Sequence, residues 1–375
     1  MLNGEIRLKK PWPVYRKLSF LVVLLAALGV LLVYDITFLQ AGQKYNDQYF
    51  FLKRQLLWVM LGFACFLGAL RINLDRWRRY ARISLLVAIA LLFLVLVIGR
   101  EINGAKRWFS LGFFNFQPSE FAKLAVIFYL ADFLARKERV ITNPVRIFMP
   151  TGLLVGLAGA LILKEPDYGT AALVLALLFI LYFIAGAPRR LLFLGILVLA
   201  VLGGLFVIQS DYHRKKMQTW LNPGADPLGA GYQINSSLLA VGSGGIFGRG
   251  LGQGQQKYDY LPEPHTDFIF ANIAEELGLI GSLLFLSPFF LLIHLGLETA
   301  RRSADLFRFY LGTGLTSLLA LQTLIHLGVV LSLLPNKGLT LPFISYGGSS
   351  LLFTFLGTGL LVNLARDLPP DEPVQ

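Results

Sequence analysis

Cysteine is almost missing. Cys65 is the only one in 375 residues, so no disulfide joins two parts of the chain and no cysteine-based metal site forms. Histidine is nearly as scarce: His213, His265, His294 and His326 are scattered, with no HExxH pair, which argues against a metalloenzyme. Only 15% of residues are charged, and the longest polar stretch, 210–267, holds too little apolar material for a core of its own. A conventional soluble catalytic domain is therefore excluded. Nucleotide loops are lacking too: the glycine-dense stretch "GSGGIFGRGLGQGQQ" has neither GxGxxG nor GxxxxGK[ST] spacing and follows no strand. The spacing leaves two readings, a tightly turning loop or a backbone lining for a substrate with Arg249 and Lys257 supplying charge.

Apolar length is what the chain has in abundance. Hydrophobic residues make up 55% of it and fall in runs of about 20, the length that crosses a hydrocarbon core. The runs lack the alternation of barrel strands, and lipid requires each span to satisfy its own backbone groups, so the fold class is all-α, a polytopic membrane protein. Ten spans are expected, near 18–39, 55–70, 82–99, 118–136, 147–163, 168–186, 190–209, 268–297, 308–334 and 346–366. No small-residue cleavage site follows the first, which reads as an uncleaved anchor. The chain is expected to form one ten-helix membrane domain, 1–375, with an N-terminal segment (1–17), a large loop between helices 7 and 8 (210–267) and a tail (367–375).

Charge orients this domain. Of the 34 Lys and Arg, 20 fall on the side of the termini, 13 on the other and one, Lys123, inside a span; the positive-inside rule then makes both termini cytoplasmic and turns 210–267 outward. The net charge of +12 is largely this cytoplasmic excess and does not call for nucleic acid.

Several polar groups sit where an apolar span should not tolerate them. Glu120 and Lys123 in "QPSEFAKLA" share a helix face at i, i+3, either as a packing ion pair or lining a cavity that opens outward. Asp167 in "KEPDYGTA" follows Pro166 as an ordinary helix start would, or stands ready for a ligand. Asp35, Asp132, Glu275 and Glu276 make weaker cases. The tenth span opens with "ISYGGSSLL" beside Lys337; Ser345, Tyr346, Gly347, Gly348 and Ser349 there give either close helix packing or an anion-binding helix start. Lys106, Arg107, Arg249 and Lys337 add outward cations, a set suited to a lipid-borne diphosphate. In "LPEPHTDFIF", His265 and Asp267 stand at the outer edge of the eighth span, and with no soluble domain available, chemistry must occur at such an edge.

The stretches "NGAKRW", "QPSEFAKLA", "EPDYGTA", "GYQINSSLLAVGSGG", "LPEPHTDFIFANIAEELGLIG" and "KGLTLPFISYGGSS" together resemble the signatures of the SEDS family (shape, elongation, division and sporulation), nearer its division member than its elongation member. The resemblance implies a peptidoglycan glycosyltransferase that polymerises lipid II with a class B penicillin-binding protein as partner, among other divisome or elongasome membrane proteins, in the cytoplasmic membrane. It also implies that Asp267 is the essential carboxylate and that Glu120 and Lys123 matter to function.

On that reading Asp267 acts as general base for an acceptor 4-hydroxyl in a single inverting displacement, and outward cations stabilise the departing undecaprenyl diphosphate. His265 either orients Asp267 or caps the loop. The sequence identifies no cofactor, though a divalent cation, Mg²⁺ or Mn²⁺, would suit the diphosphate; its ligands are not identifiable. Two rivals remain, a flippase for the same lipid-linked precursor and a membrane scaffold without chemistry.

Overall fold

The computed structural model describes residues 12–368 apart from 103, 111, 113, 139–143, 210, 228, 230, 257–263 and 337. Among the described residues, ten helices have 17 residues or more: α1 (Val14–Tyr45), α2 (Phe50–Ala69), α4 (Ala81–Ile98), α5 (Pro118–Lys137), α6 (Pro144–Lys164), α7 (Tyr168–Ile184), α8 (Arg189–Gln209), α11 (Ile269–Arg301), α12 (Leu306–Val330) and α13 (Gly348–Arg366). Each overlaps one expected span. Six of them, α1, α2, α4, α11, α12 and α13, are long and apolar enough to cross a membrane. Their outer faces carry large apolar side chains such as Leu31, Met60, Phe93 and Leu284, all exposed, which water would disfavour and lipid accepts. The chain is a multi-pass membrane protein.

Helix α5 runs through the middle of the bundle. Of Pro118 to Leu134 only Phe121 is not fully buried, and α4, α7, α12 and α13 pack around it. Small residues on α5 (Ala122, Ala125, Ala131) allow close approach, which substitutes for the hydrophobic drive that lipid removes. The bundle has two recognisable ends. At one, the Asn363 amide donates to the carbonyls of Ala69 and Ile72, both at 2.8 Å, and Arg308 reaches Asp75 and Asp367. At the other lie the starts of α5, α7, α11 and α13.

Three features depart from the expectation of bare helices and a plain loop. A small antiparallel sheet, β1 (Arg100–Ile102), β2 (Ala105–Ser110) and β3 (Asn115–Phe116), joins α4 to α5, so the all-α class holds for the bundle and not for this connection. Within 210–267 lie two further helices, α9 (Asp211–Leu221) and α10 (Tyr232–Gly244), separated by a 3₁₀ turn at Pro223–Ala225. A six-residue helix, α3 (Leu74–Arg79), precedes α4, its start capped by the Asn73 side chain accepting the Arg76 N–H.

Candidate active site

Asp267 is half-buried in the turn immediately before α11. The segment ahead of α13 holds that turn in place. Ser345 Oγ donates to the Thr266 carbonyl at 2.7 Å and accepts the Leu341 N–H at 2.9 Å, while the Tyr346 N–H donates to the His265 carbonyl at 2.9 Å. Gly338 passes so near that a Cβ there would stand 2.9 Å from Asp267 Oδ2; any larger residue displaces the carboxylate. The His265 ring lies 4.7 Å from that of Phe51 and 5.6 Å from that of Tyr346, centroid to centroid. Burial, with Lys44 adding to it, pushes this imidazole down to about 4, so His265 is neutral at physiological pH and serves as a packed anchor for the turn.

The expected cations separate. Arg107 on β2 donates through Nε to the Glu165 carbonyl at 2.5 Å and through Nη2 to the Pro166 carbonyl at 2.9 Å, tying the sheet to the turn between α6 and α7. Lys106, next in the strand, points to the opposite face, across from Glu101. Arg249 is not at the Asp267 rim: it pairs with Glu275 at 3.4 Å. Lys337 and Lys257 lie outside the described residues.

Asp167 is a helix start. Its Oδ1 accepts the Thr170 N–H at 3.1 Å, and its Oδ2 accepts from Gln117 Nε2 at 3.4 Å. Glu120 and Lys123 form a 2.8 Å ion pair with almost no exposure. Of the two readings, the ion pair is present, and beside it lies a narrow space of about 10 Å³ between α5, α12 and α13, room for one water at most. The start of α13 is also more occupied than a free anion site. Ser349 Oγ donates to the Asn115 carbonyl at 2.8 Å and accepts the Gln117 N–H at 3.1 Å, and a Cβ on Gly348 would stand 2.5 Å from Trp58. The Ser349 hydroxyl thus joins β3 to α13, the bare backbone of Gly348 lets α2 approach, and Gly347 caps the helix in extended backbone.

The glycine-dense stretch repairs a broken helix. Gly278, at φ 66° and ψ −170°, interrupts α11 and strips hydrogen bonds from the backbone around it. The stretch supplies replacements: the Arg249 and Gly250 N–H groups donate to the Glu275 and Glu276 carbonyls at 3.1 and 3.0 Å. In return the Leu279 and Ile280 N–H groups donate to the Gly245 and Ile246 carbonyls at 2.9 and 3.2 Å. Both side-chain carboxylates are buried and capped as well. Glu276 accepts the N–H groups of Gly252 (3.0 Å) and Gly254 (3.2 Å), and Glu275 those of Gln255 (3.0 Å) and Gln256 (3.1 Å). A Cβ at Gly248 would lie 2.2 Å from the Glu276 carbonyl oxygen, so bare backbone is required for the fit.

Two residues missed from the sequence belong to the site. Lys216, on α9, is within electrostatic reach of Arg107 and Asp267: burial and the Arg107 guanidinium push its ammonium below the usual lysine range, and the Asp267 carboxylate opposes them. Helix α9 is docked through Trp220, whose Nε1 donates to the Ser332 carbonyl at 3.0 Å, and Lys216 lies one turn earlier on the same face. The run "DYHRKKMQTW" carried this signal as an amphipathic period with a terminal Trp. Glu165 has no exposure, and neither carboxyl oxygen has a hydrogen-bond partner among the described residues. Burial, then the neighbouring Asp167, pushes its carboxyl up to about 9 against the pull of Arg107.

The model of the cell cycle protein family FtsW/RodA/SpoVE matches residues 16–369. The chain belongs to this family. It is 41% identical to the stage V sporulation protein E of Bacillus subtilis over 93% of this chain and 96% of that one. A probable peptidoglycan glycosyltransferase FtsW of Geobacter metallireducens is likewise 41% identical, over 97% and 98% of the two chains. Among solved structures, the rod shape determining protein RodA of Thermus thermophilus matches with a TM-score of 0.70 at 32% identity, covering 94% of this chain and 97% of that one. A chain from a peptidoglycan synthase complex, described for its coordination of polymerization and crosslinking, matches with a TM-score of 0.77 at 33% identity, covering 93% and 97%. In this FtsW/RodA/SpoVE chain, the segments surrounding Asp267 all lie within the matched region.

Proposed function

We propose that this protein is a peptidoglycan glycosyltransferase of the FtsW type that polymerises lipid II, with Asp267 as general base. The observation that carries the reading is one half-buried carboxylate whose turn is gripped by the 338–346 segment, with Lys216 of α9 within its electrostatic reach. A sugar hydroxyl is a weak nucleophile until its proton is taken. Asp267 accepts that proton as the acceptor oxygen bonds to the donor's anomeric carbon, the bond to the diphosphate oxygen breaks, and undecaprenyl diphosphate leaves with its electron pair. One displacement inverts the anomeric centre to give a β-1,4 linkage, so no second nucleophilic carboxylate is needed. Lys216 and Arg107 stabilise the negative charge gathering on the leaving group.

Ten spans, cytoplasmic termini and an outward Asp267 complete the reading, supported by ten long helices in register with the expected spans and by the charge count. Glu120 and Lys123 act through helix position, since each is buried and engaged with the other. No three His, Cys, Asp or Glu side chains among the described residues converge to hold a metal; a Mg²⁺ or Mn²⁺ ion would take most of its ligands from the diphosphate and water. The family match and the synthase-complex neighbour support a class B penicillin-binding protein as partner.

Purified protein given labelled lipid II in detergent tests the proposal, because detergent removes the sidedness a flippase needs. Polymer from the wild type, with and without the partner, and a rate lower by about 10²-fold or more in Asp267→Asn support it. Translocation in liposomes without polymer in detergent returns the flippase reading.

A further inference from the structure

At the end of the bundle opposite Asp267, a crevice of about 530 Å³ opens between α3, α4 and α5. Four arginines line it, Arg78, Arg79, Arg82 and Arg136, with two aspartates, Asp75 and Asp132. The aspartates are already engaged. Asp132, 4% exposed, accepts from Arg78 Nε at 3.1 Å and is paired with Arg136, and Asp75 is paired with Arg308 at 3.4 Å. Arg79 and Arg82 make no ion pair or hydrogen bond among the described residues, so the crevice presents two uncommitted guanidinium groups and a net positive lining. Guanidinium forks match phosphate oxygens in pairs.

The surroundings indicate what carries that phosphate. Ile83 lines the same crevice, and from it an exposed apolar face of α4 continues through Leu86, Val87 and Leu94, spaced as one helix side. From Ile83 to Leu94 that face extends about 16 Å at the α-helical rise, the scale of an acyl chain. Trp77 and Tyr80, both exposed, flank the cations on the same turn, the pairing of aromatic and basic side chains typical of a membrane–water boundary. A soluble anion would use the arginines alone; only a lipid uses the arginines, the aromatics and the apolar face together.

We propose that this crevice binds the phosphodiester headgroup of an anionic phospholipid, with one acyl chain lying along the exposed face of α4. The site is separate from the glycosyltransfer chemistry, and its location opposite Asp267 makes it a place where membrane composition acts on the bundle. Because Arg78 and Arg136 also hold Asp132 on α5, a headgroup there braces the helix that carries Glu120 and Lys123 at its other end.

Lipid retention by the full-length protein, read by native mass spectrometry against mixtures of phosphatidylglycerol and phosphatidylcholine, tests this directly. The wild type retains phosphatidylglycerol preferentially, and R79Q/R82Q lowers that preference about tenfold. R189Q/R190Q, which removes two exposed cations from the start of α8 on the same side of the bundle, leaves it unchanged. Equal preference in wild type and R79Q/R82Q overturns the site, as does an equal loss in R189Q/R190Q, which would make the effect one of general charge. Retention of inorganic phosphate as firmly as the lipid overturns the lipid assignment. If R79Q/R82Q does not fold, the wild type alone decides: a higher melting temperature in phosphatidylglycerol than in phosphatidylcholine nanodiscs supports the site, and equal melting temperatures overturn it.

Discussion

Asp267 stands in the turn just before α11 and the Glu275–Glu276 pair lies within that helix, eight and nine residues on, yet their surroundings differ in kind. The glutamates stand beside the Gly278 break, buried and wrapped by backbone N–H groups of the glycine-dense stretch. Their charge is spent on holding that stretch against a helix unable to satisfy its own backbone. Asp267, in the turn just before the helix, is half-exposed and lies within electrostatic reach of Lys216 on a separate element, α9. An acid near an apolar span is therefore not a functional signal by itself; here burial and the element each acid is coupled to separate the two cases. Glu165 is a third case, buried with neither oxygen bonded, and it meets burial by holding its proton.

Each part of this comparison can be broken by substitution. The largest effect on stability is expected from Glu275→Ala, which leaves the Gln255 and Gln256 N–H groups and Arg249 without their acceptor. A loss of about 3 kcal/mol should appear in chemical denaturation in detergent. A loss below about 1 kcal/mol would mean that the stretch stays in place without the carboxylate. Gly278→Ala comes next. The left-handed φ and a Cβ 2.2 Å from the Gly248 nitrogen predict a loss of about 2 kcal/mol, together with faster proteolysis of the 245–256 stretch.

The third effect shows only as pH changes. The Glu165 carboxyl is raised, so the folded state keeps a proton that the unfolded chain releases near its ordinary value of 4.5. Its contribution to stability is full below that pH and is lost as pH rises toward about 9. Glu165→Gln, which cannot ionise, should flatten the fall of the thermal midpoint between those pH values. An unchanged slope would show that Glu165 is not held neutral.

Much of the bundle was legible because lipid imposes one dominant rule, a run of about 20 apolar residues for each crossing, and every expected span met a helix. The sheet was not legible, since β1 and β2 are short and their pairing depends on tertiary position. Helices α9 and α10 were missed for a related reason: at 11 and 13 residues they are too short for a hydropathy reading. At the site, Asp267 was singled out as the candidate from its edge position and the family resemblance, and the helix-start reading of Asp167 describes what its side chain does. The ion pair of Arg249 with Glu275 was not legible because it depends on the break at Gly278, which no spacing near Arg249 reveals. The clue lay in "AEELGLIG", where two adjacent acids and a glycine inside an apolar run demand donors from elsewhere. Ser345 and Ser349 looked free for a ligand because hydroxyl partners far along the chain are invisible to one sequence.

The central claim is that Asp267 does chemistry while the glutamates of α11 hold structure. Polymerisation rate and unfolding free energy measured side by side for Asp267→Asn and Glu275→Gln test it most directly. The account predicts that Asp267→Asn keeps wild-type stability and loses polymer by about 10²-fold or more, and that Glu275→Gln loses stability while its folded fraction polymerises near the wild-type rate. Wild-type polymerisation by Asp267→Asn would contradict it.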